Sequence, residues 1–267
     1  MSGFITPSQL SRLIGLPDCP TLIDVRVPED VALNPVVIPT ARRHSYSEAH
    51  TIDLTGDLTG DPAGPVVIIC QRGAKWSEGV AALLRLRGIR AERLEGGMVA
   101  WSAAGLPVTP IAALPGRLWV TRARPKIDRI ACPWLIRRFV DPKARFLFVT
   151  PSEVPAVAEK FHATPFDVDG VFWSHRGETC TFDAMLAEFG LQTEALLRLA
   201  LVVRAADTDR HDLSPQAAGL LAISVGLSRQ YRDDLEQLAA GMVLYDALYR
   251  WARDGFDEGH DWPAGRL

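Results

Sequence analysis

Pro65-Val66-Val67-Ile68-Ile69-Cys70-Gln71-Arg72-Gly73-Ala74-Lys75-Trp76-Ser77 is the stretch whose reading decides the fold. Four consecutive β-branched residues without polar alternation predict a strand buried on both faces, as in a parallel sheet covered by helices. The run ends at a cysteine and passes through a short loop holding a glycine and two cations. It then enters Glu78 to Arg87, whose apolar spacing predicts a helix. The strand end fixes the sulfur. Loop N–H groups and a helix N-terminus favour negative charge beside it. Arg72 and Lys75 add to that field, which favours the thiolate, the nucleophilic form of cysteine. Cys70, Arg72 and Lys75 are therefore the candidate catalytic residues. Gly73, Ala74, Trp76 and Ser77 are the candidate cradle for an anion. The competing reading is a half-buried structural cysteine, which the loop composition disfavours.

Outward from this stretch, Thr21-Leu22-Ile23-Asp24-Val25-Arg26 reads as a second buried strand that ends in a charged pair. Ala91-Glu92-Arg93-Leu94 reads as a third, followed by a Gly96-Gly97 turn and a short helix through Trp101. Short strands alternating with helices predict an α/β domain over residues 1–110, a parallel sheet with flanking helices. Pro107 to Gly116 holds three prolines and a glycine and reads as a linker. Residues 117–267 predict a mainly α-helical, α+β domain. Strands are expected at Arg117 to Arg124, Ala144 to Thr150 and Val171 to His175. Helices are expected at Glu153 to His162, Thr181 to Phe189, Glu194 to Ala206, Pro215 to Ser224 and Asp233 to Arg253.

The first set of pieces resembles the rhodanese family. The resemblance is carried by Leu22-Ile23-Asp24-Val25-Arg26, Ile38-Pro39-Thr40-Ala41, the Cys70 loop, and Leu94-Glu95-Gly96-Gly97 through Trp101. It implies that Cys70 carries sulfur as a persulfide, cradled by the loop from Gln71 to Ser77. Trp76 is a departure, since such loops usually carry a small residue there.

The chain has 267 residues, a length that favours two domains, and 48% of them are hydrophobic, enough for sizeable cores. A net charge of −3 argues against a general affinity for nucleic acid. No leader-like opening and no long apolar run is read, so a cytoplasmic protein without membrane contact is expected. The four cysteines, Cys19, Cys70, Cys132 and Cys180, form no CxxC pair and no zinc spacing. In a reducing compartment they are expected as thiols.

The second half carries three polar clusters. Arg117, Arg122, Arg124, Lys126, Arg129, Arg137, Arg138, Lys143 and Arg145 face only Asp128 and Asp141 in their stretch. This is either a solvated face or an oxyanion site, since guanidinium forks suit tetrahedral oxyanions. Pro133 leaves two readings open. A helix starts at Pro133 with Cys132 as its N-cap, or one helix from Asp128 to Phe139 is kinked there. His175, Glu178, Cys180 and Asp183 fall within nine residues and are candidate ligands, although Thr181 or Asp183 also suits a helix cap. Asp207 stands where an apolar helix stops. The expected metal set is His175 with Asp128, Glu178 and Asp207, for Mn or Fe, or for Zn if thiolates take part. A Cys132–Cys180 redox pair without metal is the rival. No organic cofactor is expected.

These clusters resemble the ChrB chromate-resistance domain. The matching stretches are Ile127 to Ile136, Phe146 to Val149, His175 to Asp183, Arg204 to Thr208, Pro215 to Ser228 and Tyr245 to Tyr249. The resemblance implies a link to chromate handling. The joint expectation is a chromate or oxidative-stress resistance protein with rhodanese-type sulfurtransferase chemistry at Cys70. Its partners are small thiols or thiosulfate, with chromate or chromium–thiol adducts. One rival is a metal-dependent redox enzyme, such as one that dismutates superoxide, with an accessory rhodanese domain. Another is a non-enzymatic chromate sensor or regulator. The latter is disfavoured because the extra N-terminal region of longer regulatory ChrB proteins is not read here.

Overall fold

The computed structural model of the chain describes residues 3–52 and 65–259; residues 1–2, 53–64 and 260–267, including the outer ends of both expected domains, lie outside it. Contacts group the chain into two compact units. The first comprises Met1–Trp119, Leu135–Arg145 and Glu188–Leu191, and the second Val120–Trp134, Phe146–Ala187 and Gln192–Leu267.

The first unit is built on a parallel sheet. Its strands are β1 (Phe4–Ile5), β2 (Thr21–Asp24), β4 (Arg42–Arg43), β5 (Val66–Ile69) and β6 (Ala91–Leu94), in the order β1-β6-β5-β2-β4. A separate antiparallel pair joins β3 (Val36–Val37) to β7 (Thr109–Pro110), so part of the proline-rich segment is built into this unit. Helices α1 (Pro7–Leu13), α2 (Pro28–Leu33), α3 (Lys75–Leu86) and α4 (Gly97–Ala103) alternate with the strands. All four residues of β5 are buried, which is why Val66 to Ile69 carries no polar alternation. In register, Asp24 lies beside Ile69 and Ile68 beside Arg93. The core beneath gathers Ile23, Val25, Val66, Ile68, Val80, Ala81 and Leu84. Val80, Ala81 and Leu84 give α3 its inner face, while Leu83 and Leu86 stay exposed. Cys70 follows the central strand directly. In parallel sheets, the carboxyl end of a central strand is where ligands bind.

Arg26 is buried at the end of β2. Its Nε and Nη2 donate to the Asp24 carboxylate at 2.9 and 2.7 Å, and Nη1 donates to the Asn34 carbonyl at 3.2 Å. Nη2 also reaches the Val36 carbonyl. The charged pair read at the strand end thus holds β2 to the chain entering β3.

The second unit is mainly helical. A small sheet, in the order β10 (Thr164–Pro165), β8 (Leu118–Arg122), β9 (Arg145–Val149), is followed and interrupted by helices. These are α5 (Asp128–Leu135), α6 (Val154–Phe161), α7 (Thr181–Glu188), α8 (Glu194–Asp207), α9 (Ala217–Gln230) and α10 (Asp234–Asp254). Asp233 caps α10 by accepting from the N–H groups of Leu235 and Glu236 at 2.9 Å each. Gly241 lets α10 approach α5 closely: a Cβ there would lie 2.5 Å from Ile130 Cγ2. The approach brings the Tyr245 hydroxyl to donate to the Ile127 carbonyl at 3.1 Å, at the start of α5.

One open reading resolves and one expectation changes. Helix α5 runs through Pro133 and ends at Leu135, where a wider turn, Ile136–Val140, takes over. Cys132 is therefore inside a helix and not an N-cap. Val171 to His175 forms no strand; only Trp173 makes a bridge, to Phe166. Left-handed backbone at Asp167 (φ 52) and Gly170 (φ 77) turns the chain before a strand can extend.

Candidate functional site

Two clusters of chemistry-bearing side chains stand out, one in each unit. In the first, Cys70 Sγ lies 3.1 Å from Ser77 Oγ and donates toward the Ala74 carbonyl at 3.3 Å. Ser77 Oγ donates to the same carbonyl at 3.0 Å. The loop wraps the sulfur and leads into α3, whose first residue is Lys75. The N–H groups of Gly73 to Trp76 meet no acceptor among the described residues. Arg72 and Lys75 are exposed and make no ion pair among the described residues. Trp76, 41% exposed, stacks on Tyr46 with ring centroids 4.1 Å apart, forming an aromatic wall next to Ser77.

Main chain packs directly on main chain behind this loop. Met98 and Val99 donate their N–H groups to the carbonyls of Cys70 and Gln71, both at 3.0 Å. A Cβ on Gly97 (φ 58) would sit 2.1 Å from the Cys70 carbonyl oxygen, and one on Gly73 (φ 66) 2.4 Å from that of Leu94. Only glycine fits both the backbone angle and the space. The structure thus brings all seven expected residues of this site, Cys70, Arg72, Gly73, Ala74, Lys75, Trp76 and Ser77, into one loop and helix start.

The second cluster converges from four segments. Asp128 opens α5, Asp207 closes α8, His175 lies on the loop before α7, and Asp167 lies just after β10. His175 Nε2 is 3.2 Å from Asp207 Oδ2, 3.4 Å from Asp167 Oδ1 and 3.6 Å from Asp128 Oδ2. Asp128, His175 and Asp207 each present a ligand atom, all within 4.8 Å of one another. The Asp128 side chain is fully buried while 40% of His175 faces solvent.

Surrounding groups fix these side chains. The Thr181 N–H donates to Asp128 Oδ2 at 2.6 Å and its hydroxyl to Asp167 Oδ1 at 3.0 Å. Arg122 Nη2 and Arg129 Nε approach Asp167 Oδ2 at 3.1 and 3.3 Å. Burial opposes ionisation of Asp167, but His175 and Arg122 hold its carboxyl below the usual range. Asp128 goes the other way: burial first, then the Asp207 and Asp167 charges, push its carboxyl well up. Hydrogen bonds to Asp167 and Asp207 raise the His175 imidazole to about 10. The Cys180 thiol lies close enough to ease the Asp128 charge slightly, but its hydrogen bond goes to Asp183 Oδ2 at 3.3 Å. Asp128 Oδ1 is buried with no hydrogen-bond partner among the described residues. Cys132 and Cys180 lie nearby with thiols pushed up by burial, so neither is a ready thiolate.

Of the expected metal set, Asp128, His175 and Asp207 come together and Glu178 does not. Gly177 (φ 61) and the Arg176–Thr179 bridge form a tight turn that leaves Glu178 exposed. Asp167, unread in the sequence, takes a place beside the histidine. Its only local signal was a polar turn, Asp167-Val168-Asp169-Gly170, indistinguishable from an ordinary loop. From the basic stretch, Arg122 and Arg129 reach the cluster by pairing with Asp167.

The comparisons with known proteins agree with this division. The family model described as "ChrB, C-terminal domain" matches residues 119–252, half of the chain. This chain belongs to the ChrB C-terminal domain family. The ChrB-type domain is preceded by a match to the rhodanese-like domain over residues 6–104. Protein ChrB of Cupriavidus metallidurans is 33% identical over 148 residues, 55% of this chain and 44% of that protein. The chain thus spans less than half the length of that relative. A rhodanese-related protein from Thermoplasma volcanium is 22% identical, covering 39% of this chain and 95% of its own, with a TM-score of 0.32. A thiosulfate sulfurtransferase from Pseudomonas aeruginosa is 24% identical, covering 40% of this chain and 19% of its own, with a TM-score of 0.33. Among the described residues, no helix is long and apolar enough to cross a membrane.

Proposed function

We propose that this chain serves chromate resistance as a cytoplasmic protein that transfers sulfur through Cys70. The observation that carries the reading is the Cys70 loop: a sulfur at the end of the central strand, followed by a loop whose Gly73 to Trp76 N–H groups meet no acceptor and whose Arg72 and Lys75 make no ion pair among the described residues. Four free cysteines accord with a reducing compartment. In the first step the Cys70 thiolate attacks the outer sulfur of thiosulfate. A bond forms between the two sulfurs, the S–S bond of thiosulfate breaks, and sulfite leaves with the electron pair. The persulfide anion then rests against the loop N–H groups and the start of α3. A small thiolate attacks the outer sulfur in turn, takes it away as a persulfide and restores the Cys70 thiolate. Small thiols released from chromium adducts are a natural supply of acceptors.

The test is direct. Full-length protein is incubated with thiosulfate, and the Cys70 peptide is examined by mass spectrometry before and after cyanide. The expected result is one extra sulfur on Cys70, removed by cyanide as thiocyanate, and absent in Cys70→Ser. An unmodified Cys70 in folded protein defeats the reading.

A second reading is favoured by the aspartate–histidine cluster. Here the ChrB-type domain is a metal-dependent redox enzyme, acting on superoxide formed during chromate reduction, and the rhodanese-like domain is accessory.

A further inference from the structure

We infer that Asp128, His175 and Asp207 form a binding site for one divalent first-row metal ion, Mn2+ or Fe2+. The assignment deepens the second reading above and is independent of Cys70.

Three separate observations carry it. The spacing is close to that of a ligand set: atoms held at roughly 2.1 Å from a shared ion stand roughly 3.0–3.5 Å apart, and the three ligand atoms here lie within 4.8 Å of one another before any ion draws them in. His175 Nε2 lies 3.2 Å from Asp207 Oδ2 and 3.6 Å from Asp128 Oδ2. Next, Asp128 is fully buried, yet its Oδ1 has no hydrogen-bond partner among the described residues. A buried carboxylate oxygen without a donor is costly unless a cation meets it. Finally, Asp207 is the last residue of α8, where the helix dipole disfavours a carboxylate. A cation between Asp128 and Asp207 answers both costs.

Asp167 plays a different part. Arg122, Arg129 and the Thr181 hydroxyl occupy its oxygens, so it steers the imidazole and is not a ligand. Thr181 likewise orients Asp128 through its N–H. Two carboxylates and one imidazole form a hard set, which favours Mn2+ or Fe2+ over a thiophilic ion. Three protein ligands leave coordination positions open, and the partly exposed His175 places the opening on the solvent side.

The test uses full-length, untagged protein stripped of metal and titrated with Mn2+ by electron paramagnetic resonance, in which bound Mn2+ loses its sharp six-line signal. One equivalent is expected to bind. Asp128→Asn and Asp207→Asn should each weaken binding at least about 100-fold, as loss of a charged ligand does. Glu178→Ala should bind as wild type. Asp128→Asn keeps the shape and an acceptor for the Thr181 N–H while removing a buried carboxyl whose Oδ1 has no donor among the described residues. In metal-free protein its melting temperature should therefore be no lower than wild type, which separates lost ligation from lost folding. Binding of less than one-tenth equivalent by wild type, or full retention in folded Asp128→Asn, overturns the site. Superoxide dismutation is measured separately on loaded protein. Bound metal without that activity removes the second reading and leaves the site standing.

Discussion

Removing the imidazole of His175 should weaken the metal-free protein in a pH-dependent way, and the sign follows from the neighbours of the ring. Hydrogen bonds to Asp167 and Asp207 raise its folded-state value from 6.5 to about 10. A raised value means that the folded state holds the proton more tightly than the unfolded chain. The stabilisation is therefore complete below about pH 6.5 and is lost as pH rises through 10. The shift overstates the energy, because 40% of the side chain faces water and screens the pairs. After that discount about 1–2 kcal/mol is expected, or about 3–6 °C in melting temperature for a chain of this size. The raised carboxyl of Asp128 acts in the same direction, since its deprotonation becomes a burden as pH rises. The assay is thermal unfolding of exhaustively chelated wild type and His175→Ala, from pH 6 to pH 10.5. The gap in melting temperature should be widest at the acid end and close towards pH 10.5. A gap that stays constant across the range refutes the reasoning, because it would mean that His175 stabilises by packing and not by charge.

Other expectations concern the first unit and the cysteines. Iodoacetamide at neutral pH should modify Cys70 fastest, since burial pushes Cys19 up to about 12 and lifts Cys132 and Cys180 as well; peptide mass spectrometry over time checks the order, and a faster Cys19 sinks the idea. Arg26→Met strands the buried Asp24 carboxylate and should cost about 3–5 kcal/mol in urea unfolding, whereas the pair Asp24→Leu with Arg26→Met should recover most of that loss.

Much of the first unit was legible because its signals are local. Val66 to Ile69 has no polar face to give to water, so a central strand was the natural reading, and the cysteine that ends it had to stand at the strand's carboxyl edge. Asp128 and Asp207 were legible as helix ends. Asp167 was not, because its role comes from contacts with Arg122, Arg129, His175 and Thr181, which lie on other segments. Glu178 shows the converse. Closeness in sequence to His175 suggested a shared site, but the turn at Gly177 points the two side chains apart in function. Pro133 was ambiguous because a proline suits both a first turn and a tolerated interior break, and only the surrounding packing selects between them.

The contact of Gly97 and Gly73 with the carbonyls behind Cys70 has a consequence for how this loop can change. Its curvature is set by peptide meeting peptide, like a casting held by its mould, and the outward side chains take no part in holding that shape. Arg72, Ala74 and Lys75, whose side chains are exposed, are thus free to be exchanged, by evolution or by an engineer, to suit a different donor or acceptor while the sulfur stays where it is. The two glycines carry the opposite burden: whatever the loop is asked to hold, neither has a substitute.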